Sequence, residues 1–125
     1  MDPDKAVLDD VANACQLQGI PAMAASAEYA PGQFEINLTH VDDPVQAADH
    51  AVMLKRVVKG VARAHGMNAT FMAKPFGDET GNGLHMHVSV LDKDGNNIFA
   101  SEEDPEHGSP LLRHAAVNTL IHQHC

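Results

Sequence analysis

Apolar and polar residues alternate through Leu84-His85-Met86-His87-Val88-Ser89-Val90, the period of a β-strand. Leu84, Met86, Val88 and Val90 are expected on a buried face, with the imidazoles of His85 and His87 and the hydroxyl of Ser89 on the other. The run follows Gly81-Asn82-Gly83, a Gly-x-Gly turn that lets backbone approach a ligand closely. The same period recurs at Phe34–Thr39, where Phe34, Ile36 and Leu38 oppose Glu35, Asn37 and Thr39. Residues Ile20–Glu28 are apolar and extended, and Pro31-Gly32 turns the chain between these two segments.

Helical spacing takes over elsewhere. Val7, Val11, Ala14 and Leu17 predict a helix over Asp4–Leu17 that Gly19 ends. The clearest helix is Pro44–Ala64, with Ala47, Ala51, Leu54, Val58 and Val61 in one stripe. Asp43 is its N-cap and Pro44 its first residue, and Lys55, Arg56, Lys59 and Arg63 form a solvated face opposite the stripe. Ala69–Ala73 reads as a short strand, Phe76–Asn82 as a loop, and Asp94-Gly95 as a hairpin turn from which Asn97–Ala100 returns antiparallel. An acidic loop over 101–109 leads into a helix at Leu111–Ile121. The fold class is α+β, an antiparallel sheet backed by helices.

Composition narrows the possibilities. The 125 residues, 44% of them hydrophobic, make one domain or a piece of a larger one. Apolar runs are too short to span a bilayer, the start is acidic, and nothing resembles a signal peptide, so a cytoplasmic location without a membrane partner is expected. Cys15 and Cys125, far apart in sequence, read as reduced thiols. A net charge of −9 with only eight Lys and Arg argues against nucleic acid. An acidic chain that handles nucleotide phosphates would need metal ions between the charges. Of nine histidines, His50, His65, His107, His114, His122 and His124 lack ligand-like company and read as surface or structural.

The candidate chemistry lies around the first turn. Glu28 and Glu35 flank Pro31-Gly32, and a tight turn lets both carboxylates converge on one ion. Like charges held close need a cation, and carboxylates with an imidazole such as His85 suit Mg²⁺ or Mn²⁺. Two unrelated surface acids and a half-exposed strand are the alternative reading of these residues taken alone.

Three motifs in order, Glu28-Tyr29-Ala30-Pro31-Gly32-Gln33-Phe34-Glu35-Ile36-Asn37, Ala69-Thr70-Phe71-Met72-Ala73-Lys74-Pro75 and Gly81-Asn82-Gly83-Leu84-His85-Met86-His87-Val88-Ser89, resemble the catalytic domain of the glutamine synthetase family. The resemblance runs over nearly the whole chain, and Pro31-Gly32-Gln33-Phe34-Glu35-Ile36-Asn37-Leu38 and Ala69–Pro75 look especially like the γ-glutamylputrescine synthetase branch. It implies that Glu28 and Glu35 hold the metal on the glutamate side and that His85 is a ligand of the second metal, which bridges the nucleotide phosphates. It further implies that Gly81, with the neighbouring Thr80, meets the glutamate substrate, and that His87, Ser89 and His40 face ATP.

The chemistry implied is ATP-dependent ligation of the glutamate γ-carboxylate to ammonia or an amine through a γ-glutamyl phosphate. Thr80 stands where ammonia-using enzymes carry an asparagine, which favours an amine acceptor of the putrescine type. Lys74 is expected to anchor a loop rather than bind phosphate. The family also has an N-terminal β-grasp domain, an early Glu-x-Glu pair, and later arginines and a glutamate, none of which is found here. The resemblance therefore implies a partial catalytic domain, truncated at both ends, with no catalytic residue of its own and inactive alone. The parent is expected to be a homo-oligomer. The competing readings are a catalytically inactive metal- or nucleotide-binding module and a purely structural fragment.

Overall fold

The computed structural model describes residues 3–122, in two compact units that divide after Gly83. In the first unit the apolar spacing produces α1 (Pro3–Leu17), β1 (Ala22–Ala27), β2 (Phe34–Leu38) and α2 (Pro44–Ala64). Asp43 caps α2 as expected. Its carboxylate accepts from Val45 N at 2.8 Å and from Gln46 N at 3.3 Å, satisfying donors that the first turn leaves free.

The core of this unit is built from Val11, Cys15, Ile20, Leu54 and Val57, with Ile36 and Leu38 from the hairpin packed against it. Val57 rather than Val58 is the fully buried residue of that turn of α2. Lys55, Arg56, Lys59 and Arg63 are exposed, as a solvated face requires. His65, just past α2, joins Asp10 of α1 at 2.7 Å, a structural role of the kind expected for it.

β1 and β2 pair antiparallel around a Pro31-Gly32 turn. Gln33 N bonds to Ala30 O at 3.0 Å, and Gly32 sits at φ +72°. That is a type II turn, with proline presetting the first central residue and glycine taking the positive φ of the second. β2 alternates half-buried and exposed residues along its length.

β1 does not keep this alternation. Ala22 pairs with Leu38, but Ala25 pairs with Ile36, so one extra residue is accommodated between them. Past this bulge Ser26 faces Glu35 and Ala27 faces Phe34, and the ladder runs on through a bond from Glu28 N to Gln33 O at 2.9 Å.

Three expected strands, at 69–73, 84–90 and 97–100, are absent. Residues 69–73 are irregular because their carbonyls bond to the following loop: Met72 O accepts from Asn82 Nδ2 and Ala73 O from Asn82 N, both at 2.7 Å. Phe71 lies under the ammonium groups of Lys55 and Lys59, whose Nζ atoms are 5.5 and 5.9 Å from the ring centre.

In the second unit, residues 84–90 likewise form no strand, and Leu84, Met86 and Val88 are each more than 70% exposed. An alternating pattern forms a stable strand only where a neighbour satisfies its backbone and covers its apolar side. Beyond it the expected hairpin turn forms, but residues 97–100 do not return as a strand, because Ala100 N bonds back to Asn97 O at 3.2 Å. Gly95 N bonds to Asp92 O at 3.1 Å, Asp92 N to Asn96 O at 2.9 Å and Ile98 N to Val90 O at 3.0 Å, with a bridge between Leu91 and Asn97.

Asp92 also accepts from the backbone and side chain of Asn96, which holds its carboxyl below the usual aspartate range. The acidic loop closes with Asp104 accepting from His107 N, and α3 (Pro110–His122) begins after Ser109. His124 and Cys125 lie outside the described residues. The fold class is α+β as expected, with a single two-stranded sheet among the described residues.

Candidate functional site

Where the hairpin carries its carboxylates follows from register. Ser26 lies opposite Glu35, so their side chains share a face, and Glu28, two residues beyond Ser26, shares it too. Glu28 is opposite Gln33, which makes Glu28 and Glu35 diagonal neighbours across the ladder, about 7–8 Å apart at Cα and within reach of long side chains. Both are exposed on the face away from the core. Without the bulge in β1, Glu28 would fall on the same side as Ala22, which faces the core.

Gln33 was not singled out by the sequence, yet it organises this face. Its Oε1 accepts from Ala30 N at 3.2 Å and from Thr80 Oγ1 at 3.0 Å, while its Nε2 donates to Gly81 O at 3.0 Å and Asn82 Oδ1 at 2.8 Å. The loop that carries Thr80 and Gly81 is therefore fastened to the turn between the two glutamates. The available sequence signal was position: Gln33 is two residues from Glu35, on the same face, directly after the turn.

The loop is also tied to the segment before it. Lys74 Nζ donates to Glu79 O at 2.9 Å, the anchoring role expected of it. A Cβ on Gly81 would come within 2.7 Å of Ala73 O, so glycine is required there by close backbone approach. Open grooves of about 470 and 560 Å³ flank the turn, the first lined by Glu28 and Tyr29 and the second by Pro31 and Asp78.

His40 is exposed just beyond β2. His85, His87 and Ser89 lie in the second unit, all exposed, on the irregular segment 84–90. Within neither unit do the described residues form a group of three or more His, Cys, Asp or Glu suited to a metal ion. The first unit does offer two exposed carboxylates on one face, with no hydrogen bond or ion pair to either among the described residues. That donor set of hard oxygens fits a divalent cation such as Mg²⁺ or Mn²⁺. Among the described residues no helix is long and apolar enough to cross a membrane.

Comparison with known proteins gives this arrangement its context. Residues 1–123 match the family model for the glutamine synthetase catalytic domain. The γ-glutamylputrescine synthetase PuuA of Escherichia coli (strain K12) is 48% identical over 107 residues, covering 86% of this chain and 22% of that protein. A glutamate–isopropylamine ligase from Pseudomonas sp is 45% identical over 87 residues, covering 70% of the chain and 19% of that protein. The solved structure of apo GmaS without ligand superposes with a TM-score of 0.73 at 38% identity, over 84% of this chain and 24% of that one. The chain thus spans about a fifth of the length of the curated relatives it matches.

Proposed function

The chain belongs to the glutamine synthetase family, through its catalytic domain, and on that premise we propose that it forms part of the active site of an ATP-dependent ligase joining the γ-carboxylate of glutamate to ammonia or an amine. The observation that carries this reading is the outer face of the β1–β2 hairpin. There Glu28 and Glu35 lie diagonally across the ladder, and Gln33 holds Thr80 and Gly81 to the turn between them.

The reaction proposed has two steps. The γ-carboxylate of glutamate attacks the terminal phosphorus of ATP, releasing ADP and forming γ-glutamyl phosphate. The nitrogen of ammonia or an amine then attacks the acyl carbon, expelling phosphate and losing a proton. Phosphoryl transfer of this kind is mainly a matter of positioning and charge stabilisation. Gly81 meets the glutamate through its backbone with Thr80 beside it, and His87, Ser89 and His40 face the nucleotide. Glu28 and Glu35, with His85 for a second ion, are the residues that would hold Mg²⁺ or Mn²⁺, which when bound supplies positive charge against the phosphates. Thr80 and the two amine-ligase relatives support an amine as acceptor. A cytoplasmic, homo-oligomeric parent goes with the reading, and we expect these 125 residues alone not to turn over.

Two measurements test it. In calorimetry, Mn²⁺ is expected to bind saturably to the whole protein carrying this sequence, and the binding at the Glu28/Glu35 site to be lost in Glu35→Gln. ADP release by that protein is expected to require glutamate and to be faster with putrescine than with ammonia. Release that is indifferent to glutamate would falsify the ligase reading. Metal binding with no release at all would identify a catalytically inactive binding module of the same descent.

A further inference from the structure

A glutamine carboxamide has two hydrogens to give and two lone pairs to fill, and in Gln33 all four are used. The orientation is over-determined. A rotation by half a turn would set the NH₂ group against Ala30 N–H and the carbonyl oxygen against Gly81 O and Asn82 Oδ1. Asn82 is not free to rotate in compensation, because its own NH₂ donates to Met72 O and its backbone N–H to Ala73 O. The partners come from two stretches far apart in sequence, the turn at Ala30, three residues from Gln33, and the loop at Thr80–Asn82, with Gly81 48 residues from it. A single side chain therefore fixes where the loop stands relative to the hairpin face that bears Glu28 and Glu35.

We propose that Gln33 is a positioning residue for substrate glutamate: it sets the backbone of Gly81 against the carboxylate face, and Thr80 acts through it. This rests on the ligase reading above. Thr80 commits its hydroxyl proton to Gln33 Oε1, so it supports the loop without donating to the substrate. Replacing Gln33 by methionine keeps the length of the side chain and removes all four hydrogen bonds, leaving polar groups on both sides without their partner. Positioning losses of this kind fall on the substrate whose binding loop has moved.

The test uses the whole protein carrying this sequence, as wild type, Gln33→Met, Thr80→Val and the double variant. In Gln33→Met the KM for glutamate is expected to rise about tenfold, with the KM for ATP and kcat within about twofold of wild type. Thr80→Val is expected to raise it less, and to add little on top of Gln33→Met, because the two act through one hydrogen bond. Hydrogen exchange at Asn82 N–H should accelerate in Gln33→Met while amides of α2 keep their protection, which separates a loosened loop from a failure to fold. An unchanged KM for glutamate, or equal rises for glutamate and ATP, overturns the proposal. Absence of glutamate-dependent ADP release in the wild type would instead sink the ligase reading. The exchange result then still decides the clamp, and unchanged protection at Asn82 removes it.

Discussion

Ala73 O lies 2.7 Å from the position a Cβ would occupy on Gly81, and the same carbonyl accepts the N–H of Asn82. Two neighbouring residues of one loop are thus pressed against one backbone oxygen. The contact leaves no room for a side chain, and the obstructing atom is backbone, which cannot swing aside as a flexible side chain would.

Gly81→Ala follows directly. The added methyl must push the loop off Ala73, breaking the Asn82–Ala73 bond and straining the four bonds of Gln33. A cost of about 1–3 kcal/mol is expected for overpacking of this kind. Chemical denaturation monitored together with amide exchange checks it, with the change concentrated at Asn82. A variant as stable as wild type, with Asn82 equally protected, would show that the loop has slack the distances do not suggest.

Cys15 is the most completely buried side chain of the first unit, and desolvation pushes its thiol pKa up. In the folded state the thiol stays neutral at a pH where the unfolded chain has begun to ionise. Stability from this group is therefore full below the usual thiol range and declines as pH rises through it. A disulfide reagent is expected to modify Cys15 only at the rate of unfolding, and Cys15→Ser to cost about 1–3 kcal/mol by placing a hydroxyl among Val11, Ile20 and Leu54. Rapid labelling of the native protein at Cys15 would contradict the burial.

Asp92 behaves in the opposite sense. The backbone N–H and side chain of Asn96 hold its carboxyl below the usual aspartate range. The turn at Asp94-Gly95 should hold its order at and above that range and loosen only as pH falls through the lowered value. The Asn96 amide resonance followed by NMR should titrate with a midpoint below that of an ordinary aspartate. A midpoint at or above the ordinary value would mean that the bonds do not favour the charged form.

Much of this was legible from the chain alone. The α2 boundaries, its Asp43 cap, the place of the Pro31-Gly32 turn and the alternation of β2 all follow from local rules: cap chemistry, the fixed φ of proline, the freedom of glycine and a period of two. The three motifs likewise pointed to the family, because motif order survives without knowledge of pairing.

What local rules could not supply is pairing. Periodicity at Leu84–Val90 predicted a strand and Ala69–Ala73 read as another, but a strand exists only where another backbone completes it. The carbonyls of Met72 and Ala73 turn to Asn82 instead, and the apolar positions 84, 86 and 88 remain exposed. Tertiary structure alone decided the two features that assemble the candidate site. One is the extra residue in β1, which moves Glu28 to the side of Glu35. The other is Gln33, whose four partners are assembled only when the hairpin and the Thr80–Asn82 loop meet. The sequence determined which groups are available, since that is a matter of side-chain chemistry and local spacing. The pairing register and the long-range hydrogen bonds determined which of them face one another, because those depend on contacts between residues that no local pattern connects.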